Sequence, residues 1–68
     1  MNPLIKIDQI VESWNAGFGK VVGISNDLIE IYFSGIYRTV YQKKQEFLDT
    51  HDFIDDVWWS HKTLNMRK

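Results

Sequence analysis

Three β-branched runs follow one another with only two residues between them, and this spacing constrains the fold more than any other feature of the chain. Residues 20–25 (Lys-Val-Val-Gly-Ile-Ser), 28–33 (Leu-Ile-Glu-Ile-Tyr-Phe) and 36–41 (Ile-Tyr-Arg-Thr-Val-Tyr) are separated by Asn26-Asp27 and Ser34-Gly35. Two residues suffice for a hairpin turn and for nothing longer, so the runs read as consecutive antiparallel strands of a meander. Within the second run, Ile29, Ile31 and Phe33 alternate with Leu28, Glu30 and Tyr32, which assigns the first set to the core. In the third run Ile36, Arg38 and Val40 oppose Tyr37, Thr39 and Tyr41, and either set fits the core; Ile36 and Val40 are favoured inside, with Arg38 of the same set reaching out from the rim.

Upstream, Ile5, Ile7, Ile10 and Val11 predict a strand over residues 5–13, with Pro3 fixing a non-strand start. Trp14-Asn15-Ala16-Gly17-Phe18-Gly19 then reads as a loop able to adopt positive φ. Downstream, Gln42-Lys43-Lys44-Gln45-Glu46 lacks β-branched residues and predicts a helical turn, after which Phe47-Leu48 docks on the core. In the last twenty residues, Phe53, Ile54, Val57, Trp58 and His61 have helical spacing, with acids first and bases last. The pattern favours a helix over about residues 52–62, and a strand from Phe53 to Trp59 is the competing reading. The expected division is therefore a mainly β unit over residues 1–50 and a C-terminal extension, helical on this reading, over 51–68.

Composition bears on how such a short chain holds together. With 68 residues and no cysteine, the core must be dense in large side chains, and ten aromatics supply that density. Missing thiols exclude disulfide frameworks and thiolate chemistry and fit a reducing compartment such as the cytoplasm. Lys6 and Asp8 interrupt the first apolar run, so neither a membrane anchor nor a signal peptide is expected. The net charge of −1 is too balanced for a generic DNA binder. It is unevenly spread: Arg38, Lys43 and Lys44 make a basic stretch, and Asp49, Asp52, Asp55 and Asp56 an acidic one.

No motif names a reaction. Gly17-x-Gly19-x-x-x-Gly23 misses the dinucleotide spacing by one residue and leads into a strand where a phosphate loop needs a helix. Ser34-Gly35 lacks the flanking glycine of a nucleophile elbow. His51, Asp52, Asp55, Asp56 and His61 carry metal-ligand chemistry, but His61 falls off the helical face shared by His51 and Asp55, so no metal and no cofactor is expected.

The stretch from Ile7 through Trp14, Gly17-Phe18-Gly19-Lys20-Val21-Val22, Leu28 to Phe33, Gly35 and Arg38 to Phe47-Leu48 resembles the small Tudor-like or SH3-like barrels appended to bacterial helicases and transcription factors. Asp8 or Gln9 stands where those modules carry a first-strand glycine, and the chain from Thr50 onward has no counterpart. The resemblance implies a barrel that binds a partner, in several members RNA polymerase, and no catalysis.

The expected function is thus a non-enzymatic interaction module of the bacterial or phage cytoplasm, with a protein partner from the transcription or DNA-repair machinery. The expected contact is a barrel rim of Trp14, Phe18, Tyr32, Tyr37 and Arg38. Adjacent Trp58 and Trp59 cannot both enter one core, so one of them, beside the acidic tail, adds a second surface for a partner or for a homodimer. The alternative is single-stranded nucleic-acid binding, with tyrosines such as Tyr32 and Tyr41 stacking bases and Lys20, Lys43 and Lys44 tracking phosphates.

Overall fold

The computed structural model describes residues 4–66. The central expectation holds: β1 (Ile10–Ser13), β2 (Gly17–Ile24), β3 (Leu28–Phe33) and β4 (Arg38–Lys43) form an antiparallel meander. Helix α1 (Lys44–Thr50) follows, then β5 (His51–Ile54), β6 (Val57–Ser60) and α2 (His61–Met66). The strands make one sheet in the order β4-β3-β2-β1-β6-β5, in which β6 joins β1 in parallel. The fold is mainly β, and the ladder is open. Its end strands β4 and β5 do not pair among the described residues, so no closed barrel forms.

The core lies on one face of this sheet. Ile29, Ile31 and Phe33 are buried as the alternation requires, together with Val11, Val21, Phe47 and Trp58. Through the ladder β4 and β5 run in the same direction, so α1 crosses from the far end of one to the near end of the other and drops Phe47 into the core. There Phe47 meets Trp58 edge-on at 5.2 Å and stacks on the His51 ring at 4.1 Å. The first N–H of α1, from Lys44, donates to the Asp27 carbonyl at 2.8 Å, so the β2–β3 turn supplies a cap that no side chain provides.

Two glycines have duties that no other residue could take over. Gly17 sits at φ 79°, in the region open to glycine, where the chain turns from β1 into β2. At Gly19 an added Cβ would lie 2.6 Å from Phe33 Cδ1 and 2.8 Å from the Tyr32 carbonyl oxygen, so the Phe33 ring occupies the space a side chain would need.

The helix expected over residues 52–62 is a hairpin. Phe53 pairs with Trp58 and Ile54 with Val57 around Asp55-Asp56, both at positive φ (52° and 66°), the geometry of a type I′ turn. Apolar residues at 53, 54, 57 and 58 satisfy a helical stripe, but they are equally a mirror image about 55–56, and the β-branched and aromatic content of both arms decides for strands. Helix is confined to α2, which Ser60 caps by accepting the Thr63 N–H at 3.2 Å. Residues 51–60 therefore extend the sheet rather than append to it.

Smaller corrections concern strand ends. The first strand begins at Ile10, not at residue 5, because Asp8 lies at φ 73° and the Gln9 N–H turns back to the Lys6 carbonyl. The last strand of the meander begins at Arg38, because residues 34–37 form a four-residue connection with Tyr37 at φ 50°. Ile36 consequently sits exposed in that turn rather than in the core, while Val40 packs against the core as expected. Arg38 pairs with Phe33 and so shares the core-side face with Val40, exposed at the margin where it was expected to reach out.

Candidate functional site

Register places the expected contact residues at one end of the sheet. The β1–β2 and β3–β4 connections lie there, with the start of α2 beside them. At this end the residues separate into two groups, because paired positions alternate between the core side and the outer face.

The outer group is centred on Phe18. Its ring meets Trp59 edge-on at 5.8 Å, and it lines a groove of about 510 Å³ with Ile10, Lys20, Val22 and Tyr32. Phe18 is 56% exposed, Val22 46% and Tyr32 38%, so this face is apolar and open to solvent. Val22 is there because of a bulge: Val21 pairs with Ile31 and Gly23 with Glu30, which leaves Val22 as the extra residue. Further along the same face lie Tyr41 and Lys43, paired with Glu30 and Leu28. Lys44 belongs to α1 and not to this face.

The core-side group surrounds the unclosed gap between β4 and β5. Trp14 is half covered by α2, with Lys62 Nζ 3.6 Å from its ring centroid. Arg38 lines a neighbouring cleft of about 300 Å³ whose floor is Val11, Ile31, Phe33 and Val40. Tyr37 stands apart on its turn, 86% exposed. A bulky residue held at positive φ is strained, and nothing in the packing around so exposed a side chain accounts for it.

The tryptophan pair diverges as its adjacency demands, and Trp58 is the member that enters the core. It is 2% exposed, and its indole N–H donates to Gln9 Oε1 at 3.0 Å. Trp59, half-buried, is the member that turns to the outer face and meets Phe18.

Polar groups hold this end together, and of the titratable ones Glu12 is the one not singled out above. Glu12 is 8% exposed, and its carboxylate accepts from the Ser60 N–H at 3.3 Å, the Ser60 hydroxyl at 3.2 Å and the Thr63 hydroxyl at 2.9 Å. It thus does for the Ser60 cap what the acidic residue of a capping box does, from a strand 48 residues earlier in sequence. His51 Nδ1 lies 3.1 Å from the Phe47 carbonyl and 3.0 Å from Thr50 Oγ1. Burial pushes the His51 imidazole below its usual pKa; the bond to the Phe47 carbonyl opposes this, as do Glu12 and Asp52, while His61 adds to the burial effect. His61 itself pairs with Asp52 at 2.9 Å on the surface, an arrangement worth little to stability.

No family model, no curated protein and no solved structure matches the chain. Among the described residues no helix is long and apolar enough to cross a membrane.

Proposed function

We propose that the chain is a non-enzymatic interaction module of the SH3-like or Tudor-like kind, docking a protein partner on the outer aromatic face at the loop end of its sheet. The observation that carries this reading is the exposure of Phe18, Val22 and Tyr32 side by side along one groove. The core is filled without them by Phe33, Phe47 and Trp58, so folding gives no reason for large apolar side chains to stand in water there. Aromatic side chains of this kind, with Lys20 at the margin, are the anchors that carry most of the energy in protein interfaces. A transcription or repair complex in a bacterial or phage cytoplasm is the setting this reading suggests.

The test is affinity capture from the host with the wild type and with Phe18→Ala/Tyr32→Ala, both confirmed folded. A discrete protein retained by the wild type and lost by the double variant supports the reading. Identical captures by the two proteins refute it.

A second reading has its own support, since Tyr32, Tyr41, Lys20 and Lys43 share the outer face. Stacking on tyrosines with two or three cations on the phosphates would give single-stranded nucleic-acid binding with a shallow salt slope of about −2. Titration of a labelled single-stranded oligonucleotide at low salt decides it, and absence of binding removes it.

A further inference from the structure

The cleft between β4 and β5 faces away from the outer groove and has a different chemistry. Ala16, Ile36 and Val40 are its accessible apolar side chains, lying over the buried Val11, Ile31 and Phe33, and Arg38, Gln42 and His51 are among the polar side chains around it. Arg38 is the one charged side chain in the lining, and no carboxylate enters it. Among the described residues Arg38 has neither an ion pair nor a hydrogen-bond partner, so its guanidinium can form two parallel bonds to a planar anion without first giving up another contact. The His51 ring is fixed by its Nδ1 contacts to the Phe47 carbonyl and Thr50, and it adds a rigid wall.

We infer that this cleft is a binding site for a small carboxylic acid with an aromatic or branched apolar body, the body against Ala16, Ile36 and Val40 above the core and the carboxylate on Arg38. The size fits. A volume of about 300 Å³ is at the lower end of the range of ligand pockets, and at the packing of an organic liquid it holds a molecule of about ten non-hydrogen atoms. The charge fits as well, because a neutral body alone would leave the Arg38 guanidinium unused, and a cation would meet it unscreened. This site does not depend on the outer-face reading, since Phe18 and Tyr32 point to the opposite side of the sheet.

The probe is phenylacetate, with phenylacetamide as its uncharged isostere, titrated into isotopically labelled protein and followed by nuclear magnetic resonance. Saturable shifts of the Ile31 and Val40 methyls and of the His51 ring are expected for the acid, with weaker binding of the amide. Arg38→Gln, an exposed substitution whose spectrum also reports folding, is expected to weaken the acid about tenfold, the worth of one charge-assisted bond pair, and to leave the amide unchanged. Val40→Phe, which fills the floor, is expected to abolish binding of both. Shifts outside the cleft, no shifts at millimolar probe, or equal affinity of the wild type and Arg38→Gln for phenylacetate would each overturn the assignment.

Discussion

The turn at Asp55-Asp56 makes a prediction whose sign, not merely its size, distinguishes a hairpin from a helix. Both residues lie at positive φ, 52° and 66°. That region costs an L-residue about 1 to 2 kcal/mol, somewhat less for aspartate, whose short side chain bonds locally. Replacing Asp56 by Gly removes the steric part and adds about 0.5 to 1 kcal/mol of backbone entropy to be lost on folding, for a net gain of about 0.5 kcal/mol. Replacing it by Ala keeps the steric cost and removes the local bonding, for a loss of about 1 kcal/mol. In a domain of this size 1 kcal/mol moves the melting midpoint by about 4 to 8 °C. Thermal denaturation followed by circular dichroism should therefore rank Asp56→Gly above the wild type and Asp56→Ala below it. In a helix the order inverts, because Ala is the best helix former and Gly costs about 1 kcal/mol more. An alanine variant more stable than the glycine variant would refute the hairpin and with it the placement of β6 beside β1.

Three other outcomes follow from particular contacts. Gly19→Ala should lower stability by about 1 to 3 kcal/mol in urea denaturation, because the new methyl overlaps the Phe33 ring and the Tyr32 carbonyl; an unchanged midpoint would mean that the Phe33 ring does not lie over Gly19 and leaves room for a methyl. Glu12→Ala should cost about 1 to 3 kcal/mol by leaving the Ser60 N–H and two hydroxyls without their acceptor, and hydrogen exchange should speed up in α2 first. His51, with its pKa held below the usual 6.5, binds fewer protons folded than unfolded, so its contribution is complete above about pH 6.5 and is lost as pH falls below that value; urea midpoints at pH 7.5 and 5.5 should differ less in His51→Gln than in the wild type.

What the residues reveal in advance depends on how local the deciding interaction is. The alternation of Ile29, Ile31 and Phe33 and the Asn26-Asp27 turn are local, and the meander was readable from them, although neither turn residue adopts positive φ. The hairpin of β5 and β6 is local too, but its four apolar positions fit a helix equally well. The β-branched and aromatic content of its arms leans to strands, and its pairing with β1, 47 residues away across the Ile10 and Val57 register, adds what no local pattern shows. Of the candidate contacts, Tyr32 could be placed from strand alternation, whereas Phe18, expected in a loop over residues 14–19, lies inside β2, which begins at Gly17 because β1 pairs as far as Ser13. Trp58 could not be told from Trp59, because which of two neighbours enters the core depends on Gln9 and Phe47 meeting it from elsewhere. Arg38 kept the face it shares with Val40 although the strand was started two residues early, because a shift of two leaves the alternation unchanged; only Ile36 was lost, to a turn that Tyr37 closes at positive φ. Glu12 gave no signal, since its partners Ser60 and Thr63 come from a distant part of the chain, and His51 stood out only for metal-ligand chemistry, not for its place against Phe47 and Thr50.

The central claim, that the outer face around Phe18 is where a partner docks, is tested most directly by site-specific photocrosslinking in the host cell. A photoreactive phenylalanine analogue replaces Phe18 in one strain and Asn26, at the opposite end of the sheet, in another. A discrete crosslinked protein from position 18 and none from position 26 is the predicted result. The same products from both positions, or a product from position 26 alone, would contradict it.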